Sequence, residues 1–235
     1  MRLDKLIERQ HRLARRVRLK KIRASIHYIA GVDVAQTAEL LFGCIGVFAF
    51  PSLSLVDEAF AQAPSTFPYI PGFLSFREIP VILKTYKKLR KKPDLLLVDG
   101  QGIAHPRTLG LASHVGVMLG VPTIGCAKSH LYGDYTMPRA GRGRYTSIRD
   151  DKKRLGIVLR TRKNVRPLFV SPGNLVDMSD CRYYVLASTT KYRIPDPIRY
   201  AHTMARQKAR EFRLSGSLVV LRHSGSYRLT ASLNG

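Results

Sequence analysis

Hydrophobic spacing divides the chain into segments of two different periods. Leu3, Leu6, Ile7, Gln10, Leu13, Ala14 and Val17 recur at three- and four-residue steps in an otherwise basic stretch, which predicts an amphipathic helix over residues 3–20. The pattern then shortens. Residues 28–35, 40–50 and 52–60 are apolar runs bounded by polar, turn-forming residues and are expected to form three strands of a meander. Helical spacing returns over residues 74–88, and residues 94–98 are a short apolar run of the kind buried on both faces of a sheet. Residues 109–119 predict a further helix and residues 121–125 a further buried strand. Strand, helix, strand, helix, strand in succession implies parallel crossovers, so the expected fold class is α/β, a mixed central sheet flanked by helices.

The second half is less regular. Between Arg139 and Arg166 there are eleven Lys/Arg and two Asp, with Gly141 and Gly143 early and a β-like stretch at 155–159. An exposed hairpin or loop is expected there. Residues 174–188 and 198–212 read as helices, the second carrying His202. The basic tail, about 213–235, predicts no element. No repeat, long linker or boundary interrupts the chain, so residues 1–235 are expected to form a single domain.

Composition narrows the partners. The 40 Lys+Arg against 16 Asp+Glu give a formal net charge of +24, while 45% hydrophobic residues are enough for a true core. Such an excess repels itself and normally marks a chain that works against a polyanion, nucleic acid before an anionic membrane. No apolar run approaches the ~18 residues of a membrane span, and no membrane partner is expected. The first 23 residues hold ten Lys/Arg and two acids but no secretory signal; a mitochondrial address stays open beside the preferred cytoplasmic one. Cys44, Cys126 and Cys181 have neither disulfide-framework nor zinc-site spacing, which fits a reducing compartment.

Three acids sit in unusual company. Asp33 lies inside Ala30-Gly31-Val32-Asp33-Val34-Ala35, Glu78 follows Ser75-Phe76-Arg77, and Asp99 closes Leu95-Leu96-Leu97-Val98. An acid in or at the end of an apolar strand is desolvated unless a cation or a sheet edge compensates. Taken singly, each also reads as a strand-end cap, an ion-pair partner or a solvated helix residue. Brought together by the fold, the three form an oxygen-rich site suited to Mg²⁺, and a basic chain with such a site has the parts for metal-assisted phosphodiester hydrolysis.

Four blocks carry a resemblance. Ile29-Ala30-Gly31-Val32-Asp33-Val34, Pro68-Tyr69-Ile70-Pro71-Gly72-Phe73-Leu74-Ser75-Phe76-Arg77-Glu78, Val98-Asp99-Gly100-Gln101-Gly102-Ile103-Ala104-His105-Pro106-Arg107 and Gly125-Cys126-Ala127-Lys128-Ser129 closely resemble endonuclease V, the deoxyinosine 3′ endonuclease family. The match runs in order over roughly residues 5–210 and fades beyond them. It implies an RNase H-like fold and Mg²⁺-dependent cleavage, with Mn²⁺ as a substitute, of the second phosphodiester 3′ to a deaminated adenine, leaving 3′-hydroxyl and 5′-phosphate.

By position, the resemblance assigns Asp33, Glu78 and Asp99 to the metal, Lys128 to the scissile phosphate, and His105 and His202 to the surroundings of the metal site. Pro68, Tyr69, Ile70 and Pro71 match the family's wedge, and Gly72, Leu74, Gly100, Gly125, Ala127 and Leu131 its pocket for the flipped hypoxanthine. The expected partner is DNA containing deoxyinosine, acted on by a monomer. Two other readings compete: a ribonuclease acting on inosine in RNA, and a non-catalytic module that binds inosine or damaged nucleic acid. The presence of all three acids and Lys128 argues against the module.

Overall fold

The computed structural model describes residues 3–224, with side chains through residue 214. The elements in order are α1 (Leu3–Ala14), β1 (Tyr28–Gln36), β2 (Leu40–Ala49), β3 (Ser54–Pro64), α2 (Leu74–Lys88), β4 (Leu95–Val98), α3 (Leu111–Leu119), β5 (Thr123–Ala127), β6 (Tyr145–Asp150), β7 (Lys153–Leu159), β8 (Leu168–Asn174), α4 (Met178–Ala187) and α5 (Asp196–Ser224). The strands form one eight-stranded sheet in the order β3-β2-β1-β4-β5-β8-β7-β6. The expected meander is β3-β2-β1, all antiparallel, and the expected crossovers place β1, β4 and β5 parallel.

Helices cover both faces, which is why β4 is an unbroken Leu-Leu-Leu-Val with every residue buried. On one face Val32, Ile45, Leu96 and Val98 pack with Val81 and Ile82 of α2 and Val115 of α3. On the other, Ile29, Leu95, Leu97, Ile124, Cys126 and Ile157 pack with Cys181 and Val185 of α4 and Ile198 of α5.

The structure departs from the sequence reading in the second half and at the first helix. The basic 139–166 stretch does form the expected hairpin, β6 and β7, but not an exposed one: Leu155, Ile157, Val158 and Leu159 of β7 are fully buried. Its charges lie at the ends and on one side of strands whose inward residues join the core. Residues 168–174, whose Pro172-Gly173 reads as a turn, are β8, a central strand; Pro172 sits beside the register shift in the β5–β8 pairing, where a missing donor is tolerated. The helix expected over 174–188 therefore begins only at Met178, behind a capping box on Asp177. α1 ends at Ala14 because the chain then straps along β8, with Arg18 N–H donating to Asn174 Oδ1 at 3.0 Å. α5 runs past the expected end at 212 through Ser224, and the tail residues 225–235 lie outside those described.

One contact fixes where α5 lies. A Cβ on Gly31 would sit 2.0 Å from the carbonyl carbon and oxygen of Pro197, so only glycine lets the start of α5 rest directly on β1. Gly31→Ala is expected to cost about 1–3 kcal/mol through this forced separation; an unchanged urea midpoint would show that the helix accommodates the methyl.

Candidate active site

The carboxyl ends of β1 and β4 bring two acids together. Val32 pairs with Val98, and Asp99 N–H donates to Val32 O at 3.1 Å, so Asp99 leaves β4 beside Asp33. Alternation along β1 puts Asp33 on the same face as Gly31, under α5, and His202 of that helix donates Nδ1–H to Asp33 Oδ2 at 2.6 Å. Oxygens of Asp33 and Asp99 and a ring nitrogen of His202 lie within 4.8 Å of one another. Lys128, one residue past β5, closes the group with an ion pair to Asp99.

Glu78 comes from the first turns of α2, in the opposite helix layer, and is not among the groups within that 4.8 Å cluster. It is electrostatically part of the site all the same. Burial, and then the charges of Asp33 and Asp99, push its carboxyl up to about 8, against a smaller opposing effect of Arg77. Burial and the Asp99 charge push Asp33 up to about 6, against hydrogen bonds from His202 and the Val34 amide. Asp33 and Glu78 thus resist ionising beside Asp99 while Lys128 is the nearest fixed cation, and an added positive charge would let all three carboxylates ionise. Hard oxygen donors in that state fit a divalent cation.

The structure puts His105 elsewhere, against the loop before α2. Its Nδ1 accepts Arg107 N–H at 3.1 Å, which leaves the proton on Nε2 to be donated to Gly72 O at 3.1 Å. Burial and then Arg107 push this imidazole down to about 4, so it is neutral. The same Gly72 carbonyl accepts from Arg107 Nη2 at 2.9 Å and from Gln10 Nε2 at 2.8 Å, and Arg107 Nε donates to Gln10 Oε1. Gly72 itself has φ +78, and a Cβ there would lie 2.7 Å from Arg107 Nη2. Gln10 lies outside the four blocks, and Arg107 closes the third block without a role being given to it there. The signal for Gln10 is present in the sequence, as a polar side chain on the apolar stripe of α1.

This clamp anchors the segment Pro68-Tyr69-Ile70-Pro71. Phe67 and Phe73 both stack near Phe76, and Arg107 lies over the Phe73 ring at 4.5 Å, while Tyr69 projects with 67% of its surface exposed. Behind Tyr69 is a small cavity of about 110 Å³ whose lining includes Gly72, Leu74, Gly100, His105 and Leu131. Gly125 and Ala127 do not line it. Gly125 lies in β5 beneath the 100–102 turn, where a Cβ would meet Gly102 N at 2.4 Å, and Ala127 packs against Phe169 and Leu155. Of the basic run after α2, Lys92 caps that helix, donating to the carbonyls of Tyr86 and Leu89, each at 2.8 Å.

A mixed sheet of this topology, with acids at the ends of adjacent parallel strands, defines an RNase H-like protein of the nuclease class. The comparisons agree. The family model for endonuclease V matches residues 11–203. Endonuclease V of Dictyoglomus turgidum is 44% identical over 204 residues, covering 87% of this chain and 90% of its own length. The crystal structure of endonuclease V from Streptomyces avermitilis superposes with a TM-score of 0.85 at 38% identity, covering 89% of this chain and 94% of that one. That from Bacillus subtilis gives 0.87 at 32%, covering 92% and 95%. The chain belongs to the endonuclease V family and is, by that membership, an endonuclease.

Removing Gln10 should loosen the clamp. Gln10→Ala leaves Arg107 Nε and one approach to Gly72 O without a buried partner, and is expected to cost about 1–3 kcal/mol in urea unfolding and to speed proteolysis between residues 67 and 73. Parent-like stability and an equally resistant loop would mean the three donors are redundant.

Proposed function

We propose that this chain is a DNA-repair endonuclease that recognises deoxyinosine and hydrolyses the second phosphodiester 3′ to it, leaving 3′-hydroxyl and 5′-phosphate, with Mg²⁺ as its ion. The observation that carries the reading is the meeting of Asp33 and Asp99 at the ends of adjacent parallel strands, with Glu78 near enough to feel both charges, in a basic protein of the endonuclease V family. Asp33 and Asp99 would hold the ion, with Glu78 completing the acidic wall. When bound, the ion supplies Lewis-acid activation of water and offsets charge at the leaving oxygen.

The residues divide the remaining work. Lys128 exchanges its ion pair with Asp99 for the scissile phosphate once the carboxylate is otherwise neutralised. His202 fixes the orientation of Asp33 through its 2.6 Å hydrogen bond. Tyr69, exposed and held between two prolines, fills the gap left when the base leaves the stack. The cavity behind it supports the reading of a base pocket: Gly72, Leu74, Gly100 and Leu131 line it, and backbone groups there can read the 6-oxo, N1–H edge of hypoxanthine and reject the amino group of adenine. Gly125 and Ala127 support that pocket from beneath. His105 serves as a brace of the wedge segment. The acids, lysine and wedge all come from one chain, which supports action as a monomer.

The test is incision of a duplex carrying one deoxyinosine. Cutting should require Mg²⁺, stop with EDTA, and fall on the order of 10²–10³-fold in Asp99→Ala; an undiminished cut by the variant would defeat the mechanism. Matched RNA and DNA strands with one inosine each should favour DNA, and faster cutting of RNA would move the substrate to the ribonuclease reading. Tyr69→Ala should weaken lesion binding about tenfold with cation affinity unchanged. Unaltered lesion selectivity would leave the turn as scaffold.

A further inference from the structure

A basic cleft lies at the same end of the sheet as the acidic cluster. A cleft of about 490 Å³ opens between β6, β7 and α4, lined among others by Arg142, Tyr145, Arg154, Ile157, Arg182 and Tyr183. Among the described residues no carboxylate lines it. Of the acids nearby in sequence, Asp177 Oδ1 accepts the amides of Ser179 and Asp180, Asp180 Oδ2 accepts those of Ile22 and Asp177, and Asp150 Oδ2 accepts the Tyr132 hydroxyl at 2.9 Å.

The arginines are held in place rather than spread over the surface. The guanidinium groups of Arg182 and Arg154 lie 5.2 and 5.8 Å from the centre of the Tyr145 ring, so one aromatic plane braces two cations. Arg154 Nε is buried and has no hydrogen-bond partner. Arg142 is tied through Nη2 to the carbonyls of Leu186 and Thr189, at 2.9 and 3.2 Å. Fixed guanidinium groups with donors to spare are suited to phosphate oxygens.

The register fixes the relation to the active site. Ala127 of β5 pairs with Phe169, Phe169 with Val158, and Val158 with Thr146, so the start of β6 lies at the sheet edge from which Lys128 emerges. Alternation places Ile157 on the α4 and α5 face, and its cross-strand partner Ser147 and thus Tyr145 share that face with Asp33. Three strand spacings of about 4.8 Å separate β5 from β6, roughly 14 Å, the rise of about four nucleotides in a B-form strand. A further arginine stands beside Lys128. Arg193 Nη2 reaches the Lys128 carbonyl at 3.5 Å, its own carbonyl is held by Thr161 Oγ1 at 2.6 Å, and it feels the charges of both Asp99 and Arg166.

We propose that the Tyr145–Arg154–Arg182 cleft is a second nucleic-acid site, which holds the phosphates of the strand flanking the cut about four nucleotides from the scissile bond. The proposal rests on the nuclease reading for the direction of the strand's path, and it sets a minimum length for tight binding. Phosphate contacts at the cleft carry affinity and no lesion information.

Fluorescence anisotropy without divalent cation, on undamaged duplexes of about 8 and about 30 base pairs, tests it independently of cutting. Parent protein should bind the long duplex more tightly than the increase in site number explains. Arg182→Gln, an exposed change, should weaken the long duplex about tenfold, lower the slope of log K against log salt by about one, and leave the short duplex unaffected. Tyr145→Ala should behave likewise and Tyr145→Phe like the parent, since the ring face is what braces the cations. Incision of a short deoxyinosine duplex should be unchanged in all three. Unaltered long-duplex affinity in Arg182→Gln, or an equal loss at both lengths, would overturn the cleft. Absence of incision by the parent would refute the catalytic reading and leave this binding comparison intact.

Discussion

Mutual repulsion between Asp33 and Asp99 is the constraint around which the molecule is arranged. Two carboxylates at the ends of adjacent parallel strands, mostly screened from solvent, are an unfavourable placement, and Glu78 in the opposite layer adds to it. The fold maintains the placement with strand pairing, packing and two polar partners around the charges. β4 is buried on both faces and cannot shift along β1. Gly31 lets α5 lie directly on β1, and that approach brings His202 to Asp33. Lys128 stands at the end of the next parallel strand, opposite Asp99. What remains uncompensated is a local negative site inside a chain of net charge +24. The exterior attracts a polyanion, and the interior repels it until a cation intervenes.

A second rigid body faces that site. The exposed Tyr69 depends on a loop whose glycine carbonyl is gripped by Gln10, Arg107 and His105, drawn from α1 and from the turn after β4. The same turn begins at Asp99. The acidic cluster and the Tyr69 loop are therefore referenced to one stretch of backbone, residues 99–107, so the distance between the cavity behind Tyr69 and the carboxylates is set by a few residues. A cut at a fixed offset from a recognised base needs such a shared reference, because an error of about 1 Å in placement is costly to catalysis.

Most of the first half of the fold is legible in the residues themselves. Alternation and apolar runs mark the meander, and α2 falls where its spacing predicts, because these segments bury one face each against a neighbour close in sequence. β8 is not legible in that way. Pro172-Gly173 has the local chemistry of a turn, and only pairing with β5, distant in sequence, makes it a central strand. Nor does the β6–β7 hairpin announce its burial, since its arginines dominate the composition while its inward residues fill the core. Asp33 and Asp99 stand out by their company, acids in or at the end of apolar runs, whereas Glu78, beside Arg77 on a helix, and Lys128 are picked out mainly by the resemblance. His105 stands out by motif, yet its contacts are with the wedge loop. Arg107 closes the third block, but its role becomes visible only when α1 and the 99–107 turn are seen to meet.

The proposed chemistry turns on a cation held at the acidic cluster. Calorimetric titration of the parent and of Asp33→Asn with Mg²⁺, in the absence of nucleic acid, tests it most directly. Saturable binding by the parent, accompanied by a rise in thermal midpoint that Asp33→Asn loses, is the predicted result. Equal binding by both proteins, or none by the parent, would contradict it.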